Sequence, residues 1–410
     1  MKSNIWYISK YANIAPYGAN SRHANFCKIF SEAKNGYKVR LITSNSSHLK
    51  DTLPQFSSSY KDMEFDGYHV TWVNTPNYTK AASIKRILSW FWFEFFVILM
   101  AFNKKYEKPD VVIASSLSIM SVLSGCFYKK FYKAKFIFEV RDIWPQTLID
   151  LNGMTTKHPL VWFLDKVESL GYRYADEIVG TMPGLYIHVE EKVGLGNKVN
   201  FIPQGVSLKF HSDSQEKVDE QFIEDFIPKN KFIVTYAGTL GKANAMECVI
   251  KAAEILDKEG NNEIVFLIVG KGGLKKELME LASHLGNVIF APAVKKEQVQ
   301  HILSLSDLLV ASVRDEGIYK YGISLNKFVD YMYSKKPVLC MFSGYQSMLN
   351  EAECGEFTPA GNSHLFAKTI KKYKALPAYK LESMGAKGHR FLVEKRNFNV
   401  LGKQFMDLFK

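Results

Sequence analysis

No CxxC pair, no Walker pattern, no Pro- or Ser-rich tract and no short repeat occurs in these 410 residues, and each absence closes a class. The five cysteines (Cys27, Cys126, Cys248, Cys340, Cys354) are odd in number and scattered. They argue against a disulfide framework and a zinc site, and they fit a reducing cytosol. No GxGxxG follows the first apolar segment, so nicotinamide-dinucleotide and P-loop chemistries drop out. Helix-turn-helix, zinc and RNA-recognition signatures are also missing, so nucleic acid is not an expected partner. The opening MKSNIWYISKY lacks the apolar stretch and cleavage site of a signal peptide, and the expectation is a cytoplasmic protein.

What is present is globular: 47% hydrophobic and 23% charged residues, in a chain long enough for two ordinary domains. Its charge is uneven. Residues 1–135 hold 19 Lys/Arg against 8 Asp/Glu, while the remainder is nearly balanced at 34 against 33. A basic first half points to a polyanionic partner, such as an anionic membrane surface or a phosphorylated lipid.

Short β-branched runs bounded by polar or Gly/Pro breaks alternate with helical stretches, which is the pattern of parallel α/β sheets. The strands expected in the first half are Ile5–Ser9, Lys38–Ser44, Val111–Ala114, Lys135–Val140, Glu177–Thr181 and Val199–Ile202. After a polar stretch the alternation restarts with FIVTYAG, EIVFLIVG, NVIFA and DLLVASV. The reading is therefore two domains, 1–205 and 206–396, with a helix near 397–410 that can pack back on the first.

One segment stands apart. ILSWFWFEFFVILMAF (87–102), with lysines on both flanks, is shorter than the about 20 apolar residues a membrane span needs, and it carries Glu94. Two readings stay open: a core helix, or an interfacial helix whose Trp90, Trp92, Phe95 and Phe96 sit at headgroup depth.

In open parallel sheets, ligands bind beyond the carboxyl ends of the strands. Two glycine turns lie at such ends, Gly238-Thr239-Leu240-Gly241-Lys242 and Gly270-Lys271-Gly272, each entering a helix and each suited to a phosphate. Either turn alone can be only a tight connection. Further on, a loop with Ser324 and Asn326 leads into a helix bearing Lys327 and Asp330, where Lys327 would face phosphate and Asp330 ribose hydroxyls. The plain alternative is that these two form a surface pair at (i, i+3). In the first half, FIFEV ends in Arg141-Asp142-Ile143-Trp144-Pro145, a charged pair locked by Trp and Pro. Gly18, Arg22 and His23 follow the first strand, and Gly18 permits close approach to a ligand.

Together GYKVRLITS, EVRDIWP, FIPQGV, YAGTLGKAN, VGKGG and YGISLNKFVDYMYSKKPV resemble a bacterial glycosyltransferase of retaining family 4, along nearly the whole chain. The resemblance implies a GT-B fold of two Rossmann-like domains facing a central cleft. EVRDIWP and YGISLNKFVDYM look most like the branch that builds O-antigen and capsule at the inner face of the cytoplasmic membrane, as peripheral enzymes. The implied donor is a UDP-sugar, often an N-acetylated hexosamine, and the implied acceptor a polyprenyl-diphosphate-linked glycan. Asp142 and Arg141 become the catalytic candidates, and Arg22, His23 and Trp144 the acceptor-side ones. No DxD is evident, so neither a metal nor another cofactor is expected. The pattern departs from the family's at three places: Arg141 where His is frequent, Thr239 where an Arg is usual, and Gly322 in place of the first acid of the EX7E motif, with Glu316 as the candidate substitute. Two other classes remain as alternatives, a UDP-N-acetylglucosamine 2-epimerase type and a non-catalytic membrane-binding protein.

Overall fold

A computed structural model of the chain describes residues 3–17, 21–34, 36–47, 53–78, 83–213 and 216–410. It divides into two compact units, Met1–Pro203 with Phe398–Lys410, and Gln204–Asn397.

The N-terminal unit is built on an eight-stranded sheet in the order β3-β4-β2-β1-β5-β6-β7-β8. Its strands are β1 (Asn4–Ile8), β2 (Lys38–Ser44), β3 (Tyr60–Phe65), β4 (Tyr68–Val73), β5 (Val111–Ser115), β6 (Lys135–Val140), β7 (Glu177–Gly180) and β8 (Val199–Phe201). β1 and β5 are buried on both faces, as continuous apolar runs in a covered parallel sheet require. All pairings are parallel except β3 with β4. The β3–β4 hairpin turns on Asp66-Gly67, both with positive φ (49° and 84°), the geometry a two-residue hairpin turn demands. The sequence reading contains no strand there, because YKDMEF is a half-polar edge strand with little apolar pattern.

The helix Phe398–Asp407 belongs to this unit and packs on the helix Arg22–Glu32. Phe405, fully buried, meets Phe26 and Phe30 at ring distances of 5.2 and 5.5 Å and Tyr7 at 6.2 Å. Gly402 allows the approach, since a Cβ there would lie 2.7 Å from Ile29.

The apolar segment forms the helix Ile84–Leu99, whose Ser83 side chain accepts from the Arg86 N–H. Ser89, Trp90, Phe93, Glu94 and Val97 turn inward. Expectation and structure part here over Trp90: it is only 4% exposed, and its indole donates to the Tyr11 hydroxyl at 2.8 Å. Phe96 is half-buried against Tyr60 and Trp92, whereas Trp92 and Phe95 are exposed. The core and surface readings thus each describe one face of a single amphipathic helix. No helix among the described residues is long and apolar enough to cross a membrane.

The C-terminal unit holds a six-stranded, wholly parallel sheet in the order β11-β10-β9-β12-β13-β14. These strands are β9 (Phe232–Ala237), β10 (Ile264–Val269), β11 (Val288–Ala291), β12 (Leu308–Ser312), β13 (Val338–Met341) and β14 (Gly355–Thr358). Helices cover both faces, and a bridge between Val206 and Asn397 joins the two ends of the unit.

Candidate functional site

In the C-terminal unit the two glycine turns zip together. Gly238 N–H donates to Val269 O (3.0 Å), Leu240 N–H to Lys271 O (2.9 Å) and Leu274 N–H to Leu240 O (3.1 Å). A Cβ on Gly270, whose φ is +155°, would fall 1.9 Å from Gly238 O, and one on Gly272 would fall 2.2 Å from Leu240 O. These glycines are therefore set by the contact between the loops, which fixes one rigid two-loop rim at the strand ends. Thr239 and Gly241 lie on that rim. Lys242 and Lys271 stand exposed on it, with no side-chain partner among the described residues.

Lys327 anchors the rim from behind. It opens the helix Asn326–Tyr333, which Tyr331 pins to β9 by accepting from Ala237 N–H at 2.9 Å. The Lys327 ammonium donates to Tyr236 Oη (2.9 Å) and Asn244 Oδ1 (2.8 Å) and lies 4.3 Å from the Tyr236 ring centre. Tyr236 Oη and Asn244 Nδ2 both donate to Thr239 O, at 2.7 and 3.0 Å, closing a ring of hydrogen bonds that shapes the 238–244 loop. Burial lowers the Lys327 pKa to about 8. Two of its three N–H donors are used, so one remains for an anion.

Asp330 is not paired with Lys327, contrary to the plain surface-pair alternative. Its carboxylate meets Lys296 at 2.5 Å and His211 at 3.3 Å. Burial works to raise its pKa, but His211 and Lys296 prevail and hold it below the usual carboxylate value. An ionised acid with lone pairs to spare can accept further hydroxyl donors. Ser324 is half-buried and Asn326 exposed at the start of the same helix.

At the strand ends of the N-terminal unit, Arg141 and Asp142 leave β6 and are held through the backbone: Ser116 Oγ accepts from Arg141 N–H at 2.9 Å. Neither side chain has a hydrogen-bond or ion-pair partner among the described residues. Burial raises the Asp142 pKa against the opposing pull of Arg141. Trp144 is buried, edge-on to Trp90 at 6.0 Å, and its indole N–H has no hydrogen-bond partner among the described residues. A pocket of about 270 Å³ is lined in part by Pro145, Trp162, Asp165 and His188.

Arg22 and His23 are interior residues rather than surface ligands. Arg22 meets Glu139 at 2.8 Å and donates to Ile202 O at 2.7 Å and to Pro203 O. His23 Nε2 lies 3.0 Å from Ser115 Oγ and 3.6 Å from Glu139. Burial would raise the Glu139 pKa, yet Arg22, then His23 and Arg141, bring it down to about 2. The sequence reading missed Glu139; an acid inside the apolar FIFEV run was the available signal, because such an acid needs a buried partner. Gly18 lies outside the described residues.

Residues 217–390, less than half of the chain, match the family model of glycosyl transferases group 1. This span contains both glycine turns, Lys327 and Asp330. WcaI of Escherichia coli, named for glycosyl transfer in colanic acid biosynthesis, is 24% identical over 284 residues, 67% of this chain and 68% of its own. Among solved structures, sucrose-phosphate synthase from Thermosynechococcus elongatus superposes with a TM-score of 0.75 at 14% identity, covering 100% of this chain and 98% of its own. HepE of Anabaena, solved with UDP and glucose, gives a TM-score of 0.63 at 12% identity over 98% of each chain. The fold is therefore that of two Rossmann-like parallel-sheet domains of GT-B type, and the group 1 glycosyl transferase domain in the C-terminal unit makes the chain a transferase enzyme.

Proposed function

We propose that the protein is a retaining glycosyltransferase that moves a sugar, an N-acetylated hexosamine or a relative, from a UDP-sugar to a polyprenyl-diphosphate-linked glycan in surface-polysaccharide assembly. It would work as a peripheral enzyme at the inner face of the cytoplasmic membrane. The observation that carries the reading is the rim built by two interlocked glycine loops and backed by Lys327, inside the span that matches the group 1 family. A UDP ligand in HepE and the colanic acid name of WcaI support the donor and pathway class.

In this reading the diphosphate lies on the rim, where Lys242 and the remaining Lys327 donor balance its charge, and Asp330 accepts from the ribose. The acceptor hydroxyl oxygen bonds to the anomeric carbon as the bond to the β-phosphate oxygen breaks. The electron pair leaves with UDP and the hydroxyl proton passes to Asp142 or to the departing phosphate. Growing negative charge on that phosphate is what fixed cations stabilise best. Asp142, unpaired and with a raised pKa, suits proton transfer, and Arg141 beside it suits the acceptor phosphate. The roles of Thr239, Gly241, Ser324 and Asn326 are contacts to the donor.

Melting temperature against UDP, GDP, ADP, dTDP and NAD, with and without Mg²⁺, tests the reading, since a ligand of the folded state raises it by mass action. Selective stabilisation by UDP is expected. If no nucleotide shifts the transition, the donor assignment fails.

A further inference from the structure

The N-terminal unit carries an apolar surface that its own core does not use. On the helix Ile84–Leu99 and the turn after it, Leu88, Phe91, Trp92, Phe95, Leu99 and Phe102 point outward, each 36% to 71% exposed. Their spacing puts them on one side of the helix. Rings extend the surface to two neighbouring helices: Phe91 meets Phe163 at 5.9 Å, and Phe102 meets Phe127 at 6.4 Å, which meets exposed Phe131 at 4.9 Å. Exposed Trp162 stands one residue from Phe163. An apolar face this continuous marks an interaction surface.

We propose that this face seats in the headgroup layer of an anionic bilayer, with the helix lying in the membrane plane. Charge selects the occupant. Lys85, Lys130, Lys133 and Lys166 are exposed around the face and have no carboxylate partner among the described residues. The ammonium groups of Lys130 and Lys166 lie 5.7 and 5.9 Å from the ring centres of Phe131 and Trp162. Cations at the edge of apolar rings are placed to meet lipid phosphates while the rings enter the acyl boundary. The single acid of the helix, Glu94, is turned inward and accepts from Ser124 Oγ at 2.5 Å, and no acid occurs from Val111 to Phe138. A second copy of the chain on this face would bring the same lysines together, so charge opposes a homodimer. The inference deepens the membrane side of the reading above, but it stands on the surface chemistry alone.

Flotation with vesicles of phosphatidylcholine, with and without phosphatidylglycerol, tests it. The expected result is flotation with phosphatidylglycerol and a blue shift in tryptophan emission as Trp92 and Trp162 leave water. Trp92→Ser with Phe95→Ser should lower the bound fraction at least tenfold. Lys130→Glu with Lys133→Glu should abolish the preference for the anionic lipid. Both pairs are exposed, and an unchanged UDP-dependent melting shift would show that the fold and donor site persist. Absence of wild-type flotation despite UDP stabilisation overturns the membrane inference and leaves the enzyme reading standing. Flotation without any nucleotide response does the reverse. Flotation indifferent to both pairs, or a dimer dissolved by Phe95→Ser in place of vesicle binding, also overturns it.

Discussion

The two units share a parallel sheet and handle charge at its strand ends in opposite ways. In the N-terminal unit, Arg22 and Glu139 are sealed beneath the strand ends, and Arg22 also grips the carbonyls of Ile202 and Pro203. In the C-terminal unit, Lys242 and Lys271 stand in solvent on a glycine rim, and partly accessible Lys327 shapes the loop from behind. The first arrangement serves rigidity, since a buried pair cannot be broken cheaply. The second leaves donors available to an incoming anion. The N-terminal unit has a counterpart in Arg141-Asp142, half-buried but with neither side chain partnered among the described residues, and there the local chemistry is expected to reside.

The sharpest test of this division is Asp142→Asn. Transfer should fall by about 10²–10⁴-fold, the range for a lost general base, while UDP affinity stays unchanged. A parallel loss of UDP affinity would erase the assignment of donor binding to the other unit. Next in size, Arg22→Met should cost the N-terminal unit about 3–5 kcal/mol, because it strands a buried carboxylate. All six tryptophans lie in residues 1–203, so urea titration followed by tryptophan fluorescence reads that unit alone. A change under 1 kcal/mol would remove the contrast between sealed and open charge. Lys327→Met should then weaken UDP binding by about 1.5–3 kcal/mol, the value of a charged hydrogen bond, measured by calorimetry with tryptophan-detected stability unaltered.

The last test sets two buried acids of the same unit against each other. Glu139, held near 2, contributes stability above the ordinary carboxylate pKa, and that contribution is lost as pH falls toward 2. Burial raises Glu94 to about 8, against opposing Ser124 and Lys10, so the folded state holds a proton the unfolded state has released. Stability from this group therefore falls as pH rises from about 4.5 through about 8. Glu94→Gln should flatten that slope and leave the unit more stable than wild type above pH 8, in the same urea titrations. An unchanged slope would place the titrating group elsewhere.

The parallel sheets were legible because FIVTYAG, EIVFLIVG and KVRLITS are short, rich in β-branched residues and bounded by polar or glycine breaks, which together favour buried strands over helix. The hairpin Tyr60–Val73 was not, since its edge strand mixes signs and apolar residues. The glycine turns and Lys327 were found from spacing, but the reason for Gly270 and Gly272, a loop pressed on a loop, exists only in three dimensions. Arg22 and His23 misled for a related cause. Their position after the first strand suggests a ligand, and only the fold reveals Glu139 beneath them. Trp90 and Trp92 show the limit of composition: two positions apart on one helix, one is core and the other surface.

The helix Phe398–Asp407 completes the core of the first unit but is encoded after the whole of the second. On the ribosome, at 5–20 residues per second, Phe405 reaches Phe26 and Phe30 roughly 10–40 s after Pro203 is made. During that interval the nascent first unit exposes the aromatic bed that Phe405 will cover. The late-arriving helix thus acts as a clasp on synthesis: a ribosome that stalls or a message truncated within the second unit yields an open first unit, whose uncovered rings are a natural target for chaperones and proteases.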